Sequence, residues 1–308
     1  MNNIKSFIYK LARKSVMNRF TRNLGKVVEE NDKLVCYVSK NKCWKDGTFT
    51  YTIPCSEISS SVEKELANSY GLNKPIYYVI EGIDFGKHQV HVFGYDNAKV
   101  IIRNCNFPYW LLVSVHGDCL LENNLIRPFH RLMIGANNIT IKDMSIYNEF
   151  KYTGYLNINI GADNNLSIIN SNIGRLEEYT NVSLAGVNEL ILDNSNIRGS
   201  KVECEGKKII NHHGSLLVSD VEVNIKSDDF EQLRIESPII VVNDNKVNNK
   251  YETAILKQVT NPLSLKRLEL IELLKQVKEK CEMINLEDLG KYEEELNSRT
   301  ICKTLNMR

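Results

Sequence analysis

Between residues 76 and 248 the chain keeps one pattern of apolar and polar positions. Two apolar residues stand two apart, a Gly, Asn or Asp follows two positions later, and a further apolar residue comes three after that. "NNITIKDMSI" (137–146), "NNLSIINSNI" (164–173) and "NELILDNSNI" (188–197) are three copies. Laid end to end, the template fits eight times, with its turn residue at Gly82, Asn104, Asn123, Asp143, Asn170, Asn194, Asp220 and Asp244, in steps of 19 to 27 residues. A period of this length predicts a solenoid. Apolar residues two apart face one side of a short strand. Gly, Asn and Asp tolerate the left-handed backbone that ends a strand at a sharp corner. If coils stack at the sheet spacing of about 4.8 Å, Asn side chains at one corner reach the coils above and below.

A second strand recurs between the copies, as in "VHVFG" (90–94), "VSVHG" (113–117), "VSLAG" (182–186) and "VECEG" (202–206). Each repeat then holds two or more strands, a corner and a variable loop, with no room for a helix. The rival is a leucine-rich repeat, which places its Asn three residues after the last strand Leu and follows it with a helical segment; here the gap is two.

Over residues 76–248 this resembles the right-handed parallel β-helix of the pectin-lyase-like superfamily, in which Asn ladders sit at such corners. The resemblance implies a mainly β solenoid of about eight coils, here flanked by an N-terminal α/β cap (1–75) and a C-terminal helical segment (251–308). Open solenoid ends expose strand edges and need such caps.

At the N-terminus Ile4, Phe7, Ile8, Leu11, Phe20 and Leu24 read as one apolar helical stripe, interrupted near Ser15, with Lys5, Lys10, Arg13, Lys14, Arg19, Arg22 and Lys26 elsewhere and no acid before Glu29. A basic amphipathic helix suits a membrane surface or nucleic acid. A cap helix with a solvated basic face is preferred, with membrane contact ranked below it and no nucleic acid expected. "KLVCYVSK" and "TFTYTIPC" alternate like strands and are expected to form a hairpin through "NKCWKDG", followed by a helix at 57–69. The leucine-rich run from Pro262 predicts one helix, and a second is expected over 286–303, either covering the solenoid or mediating dimerisation.

Alternation also sorts residues outward. On the first strand the outer positions are Val79, Ile101, Leu120, Thr140, Ser167, Ile191, Leu217 and Val241, of which six are apolar. Exposed apolar stripes mark covered or binding surfaces, so Ile101, Leu120, Ile191, Leu217 and Val241 are candidate contacts, for the C-terminal segment or for a protein partner or second copy. On the second strand the outer residues are His91, Ser114, Asn157 or Asn159, Ser183, Glu203 and Arg234, a polar column that is either simply wet or suited to a carbohydrate.

Composition sets the remaining limits. Net charge is +1, with 43% hydrophobic and 25% charged residues, so no global field points to nucleic acid or a membrane. The first residues make a poor secretory signal, and the eight cysteines, without CxxC, read as reduced cytoplasmic thiols. A zinc site from Cys36, Cys43 and Cys55 matches no metal knuckle, and no metal or cofactor is expected.

The superfamily resemblance implies polysaccharide lyases and hydrolases. Polygalacturonase-like members run Asn-Thr-Asp, Asp-Asp, Gly-His-Gly, Arg-Ile-Lys. This chain has Asp228-Asp229, His212-His213-Gly214 and Arg234-Ile235-Glu236, out of order and lacking the Lys, so those roles are not carried over. Glu203, Glu205, Glu236 and Arg234 remain a catalytic candidate, against the plainer reading of surface ion pairs. Trp110 and Tyr109 are suited to stacking on a sugar, anchoring a partner, or closing the side of a coil. The expected function is a non-catalytic intracellular binding or assembly protein, such as a scaffold or a phage- or mobile-element-encoded binder. The alternative is a carbohydrate-active enzyme or carbohydrate binder using Glu203 and Arg234.

Overall fold

The computed structural model describes residues 2–58, 60–95, 97–129, 131–147, 155–176, 179–230, 232–248, 254–258 and 303–307. The chain is mainly β, a parallel solenoid of about seven turns with an N-terminal helix and cap. It divides into two compact units, residues 1–150 with 159–163, and residues 151–158 with 164–308. Apart from Lys303, which falls in a strand, the helices expected beyond Pro262 lie outside the described residues.

The first unit opens with α1 (Asn2–Phe20), and a second helix, α2 (Ser61–Ser69), lies between strands. Ser60 caps α2, its hydroxyl accepting from the Glu63 amide at 3.1 Å. The hairpin expected between "KLVCYVSK" and "TFTYTIPC" does not form. Lys33–Val38 pairs antiparallel with Gly25–Glu30, and Trp44–Asp46 pairs antiparallel with Thr50–Thr52. Leu34–Tyr37 and Thr50–Ser56 then act as rungs, since they run parallel to Ile76–Val79 and to Gln89–Tyr95. Both segments have edges that the next coil fills, and that long-range pairing outweighs the local hairpin.

Each coil contributes to three sheets. In the first unit the first sheet stacks Ile76–Glu81, Lys99–Arg103 and the later halves of Trp110–Glu122 and Arg131–Lys142. The second stacks Asn106–Phe107, Leu125–Ile126 and Ser145–Ile146. The third stacks Thr50–Ser56, Gln89–Tyr95 and the earlier halves of the two long strands. Inward residues form columns: Tyr78, Val100, Cys119 and Ile139 lie in register, each no more than 2% exposed.

The second unit repeats the plan. Its first sheet holds Asn165–Ile169, Glu189–Asp193 and Lys208–His212, and its second Asn172–Gly174, Asn196–Arg198, Leu216–Val218 and Leu233–Glu236. Its third holds Asn181–Ala185, Lys201–Glu205, Glu222–Lys226 and Ile239–Val242. Parallel stacking ends where Ala254–Leu256 pairs antiparallel with Leu233–Ile235 and Asn245–Asn248 with Ile239–Val242, and Lys303–Met307 pairs antiparallel with Ala254–Gln258.

The corners carry the expected backbone. Gly82, Asn104, Asn123, Asp143, Asn170 and Asn194 have φ between 45° and 65°. The Asn123 amide donates to Asn104 Oδ1 at 2.7 Å, and the Asn194 amide to Asn170 Oδ1 at 2.9 Å, so the Asn ladder forms within each unit. Further rungs link Asn138 to Asp118, Asn188 to Asn164 and Asn196 to Asn172.

The last two corners fall elsewhere. The seventh is His213 (φ 49°) with Gly214 (φ 74°), because Lys208–His212 stacks on Glu189–Asp193. Asp220 instead sits in the bend between the second and third sheets, where Ser219 Oγ accepts from the amides of Val221 and Glu222. Asp244, with Asn243, makes the two-residue turn of an antiparallel hairpin, φ 67° and 47°.

An inner ladder, unforeseen from the repeat, runs beside the corners. After the Asn104, Asn123, Asn170, Asn194 and Gly214 corners the next residue is buried, and several of these residues are hydrogen-bonded from coil to coil. Cys105 N donates to Asn124 Oδ1 (2.9 Å), Ser171 N to Ser195 Oγ (3.1 Å), and Ser195 N to Ser215 Oγ (2.9 Å). Asn124, Ser171, Ser195 and Ser215 are all buried. At these three turns a backbone N–H faces the core and an Asn or Ser side chain from the next coil satisfies it, whereas the Asn124 N–H meets the Met144 sulfur at 3.1 Å.

Candidate functional site on the outer sheet faces

Alternation along a strand fixes which residues face out, but register between strands decides which of them are neighbours. On the first sheet of the first unit, Tyr37, Val79, Ile101, Leu120 and Thr140 form one outer row. Charged rows wall it on both sides. Arg103 pairs with Glu81 (2.9 Å) and Lys142 with Glu122 (3.0 Å) on one side, and Lys99 with Asp118 (3.3 Å) on the other. Lys33 and Lys99 also lie over the Tyr77 ring, at 5.0 and 5.5 Å. Long charged side chains lay their stems on apolar neighbours, and Val79 is left only 5% exposed while Ile101 and Leu120 are half-buried. Much of this apolar row is therefore covered by its own flanking residues.

In the second unit the corresponding row is Ser167, Ile191 and Ile210. Leu217 does not belong to it. With the corner at His213 and Gly214, Leu217 stacks on Ile197 and Ile235 inside the core, 1% exposed. Val241 does face outward, but on the third sheet, where Ser183, Glu203, Asn224 and Val241 form one row.

The catalytic candidate is split. Glu203 and Glu205 stand on the third sheet, and Lys226 Nζ lies 2.5 Å from Glu203 Oε1. That contact holds the Lys226 ammonium above its ordinary pKa. A shallow depression of ≈ 390 Å³ beside them is lined by Glu205, Lys207, Lys226 and Asp228 among others. Arg234 and Glu236 stand on the second sheet, beside Leu216 and Val218. Separate sheets hold the two pairs, which is not the converging acid and base that glycosidic cleavage requires. His213 Nδ1 lies 2.5 Å from Asp193 Oδ1 at the seventh corner, an exposed contact in the place an Asn rung holds elsewhere.

The polar column also divides in the first unit. His91 stands in a row with Thr52, Leu112 and Met133, whereas Ser114 stands in the next row with Pro54, Phe93 and Gly135. Asn159 is half-buried, and Asn157 accepts a ladder bond from Asn181 at 3.3 Å. Trp110 begins its strand in register with Gln89, and its ring meets His91 edge-on at 5.6 Å; Phe93 meets His91 at 5.9 Å. Burial lowers the His91 pKa, which favours the neutral ring. The polar residues read along single strands are thus interleaved with Phe93, Trp110, Leu112 and Met133. Alternation along one strand does not show this, because Trp110, Leu112 and Met133 enter the face from neighbouring strands. Tyr109 stacks on Phe129 at 5.8 Å.

Cys36, Cys43 and Cys55 are free and buried, and burial pushes the thiols of Cys36 and Cys43 up to about 11. Cys55 is pushed up as well, by burial first and then by the neighbouring thiols. Among the described residues no three His, Cys, Asp or Glu side chains are arranged to hold a metal ion. Among the same residues, no helix is long and apolar enough to cross a membrane.

Compared with protein-family models, with curated proteins and with solved structures, the chain matches none.

Proposed function

We propose that this chain is a non-catalytic β-solenoid binding protein of the right-handed, pectin-lyase-like kind. It receives a protein partner on the outer face of the third sheet of its first unit. The observation that supports this reading most is the cluster of Phe93, Trp110, Leu112 and Met133 around His91 on that face. Aromatic residues and Met are enriched in protein interfaces, and charged residues are depleted at their centres. The first-sheet row at Ile101 and Leu120 is a weaker candidate, since its flanking ion pairs are satisfied within the unit. Right-handed coils follow the hand that parallel crossovers adopt.

A photo-crosslinking residue placed at the exposed Ser114 tests the reading. The expected product is a discrete crosslinked protein, either a second species or a second copy of this chain. Leu112→Lys should abolish it, and a crosslinker at Glu203 should not give it. No protein adduct at Ser114 would refute the reading. So would an activity on acidic polysaccharides that is lost in Arg234→Ala and Glu203→Gln.

A further inference from the structure

The helix α1 does not cap with the residues its sequence periodicity suggests. Of the expected stripe only Phe20 (4% exposed) and Leu24 (0%) are buried. Ile4, Phe7, Ile8 and Leu11 are 65%, 62%, 59% and 53% exposed. The helix is fastened by its other side. Tyr9 stacks on Tyr70 at 5.5 Å, Arg13 donates from Nε to the Tyr70 carbonyl at 3.0 Å and pairs with Glu29, and Phe20 is buried. At 3.6 residues per turn, the row of Tyr9, Arg13 and Phe20 lies roughly 160° around the helix from Ile4, Phe7, Ile8 and Leu11. The apolar ridge therefore points away from the unit that holds the helix.

The cations are placed about this ridge. Lys10 and Lys14 flank it on one side and Lys5 and Arg19 on the other, each about 70–110° from its centre line. None of these four has a carboxylate partner among the described residues. Residues 2–20 carry five cations and no acid, a charge of +5, so with +1 on the whole chain the remainder carries 1 − 5 = −4. The positive charge is thus concentrated at one exposed element of a body that is otherwise net negative.

We infer that α1 is an interfacial helix that docks this protein on an anionic lipid surface. Ile4, Phe7, Ile8 and Leu11 enter the boundary between head groups and acyl chains, and the flanking lysines and arginine meet the lipid phosphates. A ridge between two basic rows is the layout such helices use. It fits nucleic acid poorly, because the centre of the contact would be apolar where a phosphate backbone needs cations. The ridge is only about 10 Å long, so attachment depends on charge as well as on burial, each basic residue near an anionic surface contributing about fivefold.

The test is co-sedimentation of the full chain with phosphatidylcholine vesicles, with and without phosphatidylserine. Binding is expected only with phosphatidylserine, and it should fall steeply as salt shortens the Debye length. Phe7→Ser with Ile8→Ser, and separately Lys10→Gln with Lys14→Gln, should each lower partitioning about tenfold or more. All four side chains sit on the solvent side, so circular dichroism should be unchanged. Failure of the folded wild type to bind phosphatidylserine vesicles at low salt would overturn the inference. Wild-type binding by the Phe7→Ser, Ile8→Ser variant would also overturn it, since only a basic patch would then be at work. A dimer that this variant dissociates, in a protein that ignores vesicles, would instead assign the ridge to a second copy.

Discussion

Leu217 decides whether the seventh coil is phased as the repeat template has it or as the structure has it. The template places Leu217 outward, whereas the structure buries it at 1% exposure between Ile197 and Ile235. Leu217→Ala removes three carbon groups from the core, worth about 0.8 kcal/mol each in transfer. Adding a term for the cavity left behind raises the expected cost to about 3–4 kcal/mol. Asp220→Ala serves as the control: an exposed side chain in a bend should cost no more than about 0.5 kcal/mol. Stacked repeats need not unfold in one step, so the readout should be local. Native-state hydrogen exchange at the amides of Lys208–His212 and Leu216–Lys226 should show faster opening in Leu217→Ala by two to three powers of ten, at about 1.4 kcal/mol per tenfold. Equal and small effects for both substitutions would refute the phase, and with it the corner at His213.

Other outcomes follow from the same geometry. Asn194 holds φ 45° and donates a 2.9 Å rung to Asn170, so Asn194→Ala should cost about 2 kcal/mol, while Asn194→Gly, which restores the backbone freedom, should cost only about 1 kcal/mol, both read by native-state hydrogen exchange at the amides of Glu189–Asp193. Arg13 first, then Lys74, hold the Glu29 carboxyl at about 2, below the ordinary carboxylate range. With the folded pKa below the unfolded one, this attachment of α1 is fully present above about pH 5 and is lost as pH falls toward 2. Protection of the amides in residues 9–20, taken relative to the intrinsic exchange rate at each pH, should fall over that window. Glu29→Gln should abolish the pH dependence at a cost of roughly 1 kcal/mol, given a site a quarter exposed. Of eight cysteines, six are free, buried and described, so no more than the remaining two, Cys281 and Cys302, should react quickly with a thiol reagent in the native protein.

Six of the eight proposed corners were legible because Gly, Asn or Asp followed two in-facing residues at a steady offset. The two that failed show what local pattern leaves out. "SDVEV" around Asp220 and "NDNKV" around Asp244 both offer a turn residue after apolar alternation, yet one is a bend between sheets and the other a hairpin. Only the stacking of Lys208–His212 on the preceding coil identified His213 and Gly214 as the corner. The candidate sites fared similarly. Outward orientation was readable for Ile101, Leu120, Ile191, His91, Ser114, Ser183 and Glu203. Their neighbours were not, because Arg234 and Glu203 are 31 positions apart in sequence and their sheets are set by the coil path.

The sequence by itself determined the solenoid, six of its corners and the inward columns that they phase, because a period-two alternation and a left-handed residue act within a few positions of chain. It also determined where positive charge concentrates. Tertiary structure alone decided which outer residues share a face, which apolar rows are already covered, and that α1 turns its apolar ridge outward. These depend on pairing between distant segments and on side-chain contacts such as Arg13 with Glu29, where a favourable partner elsewhere in the chain overrides what the local pattern would choose.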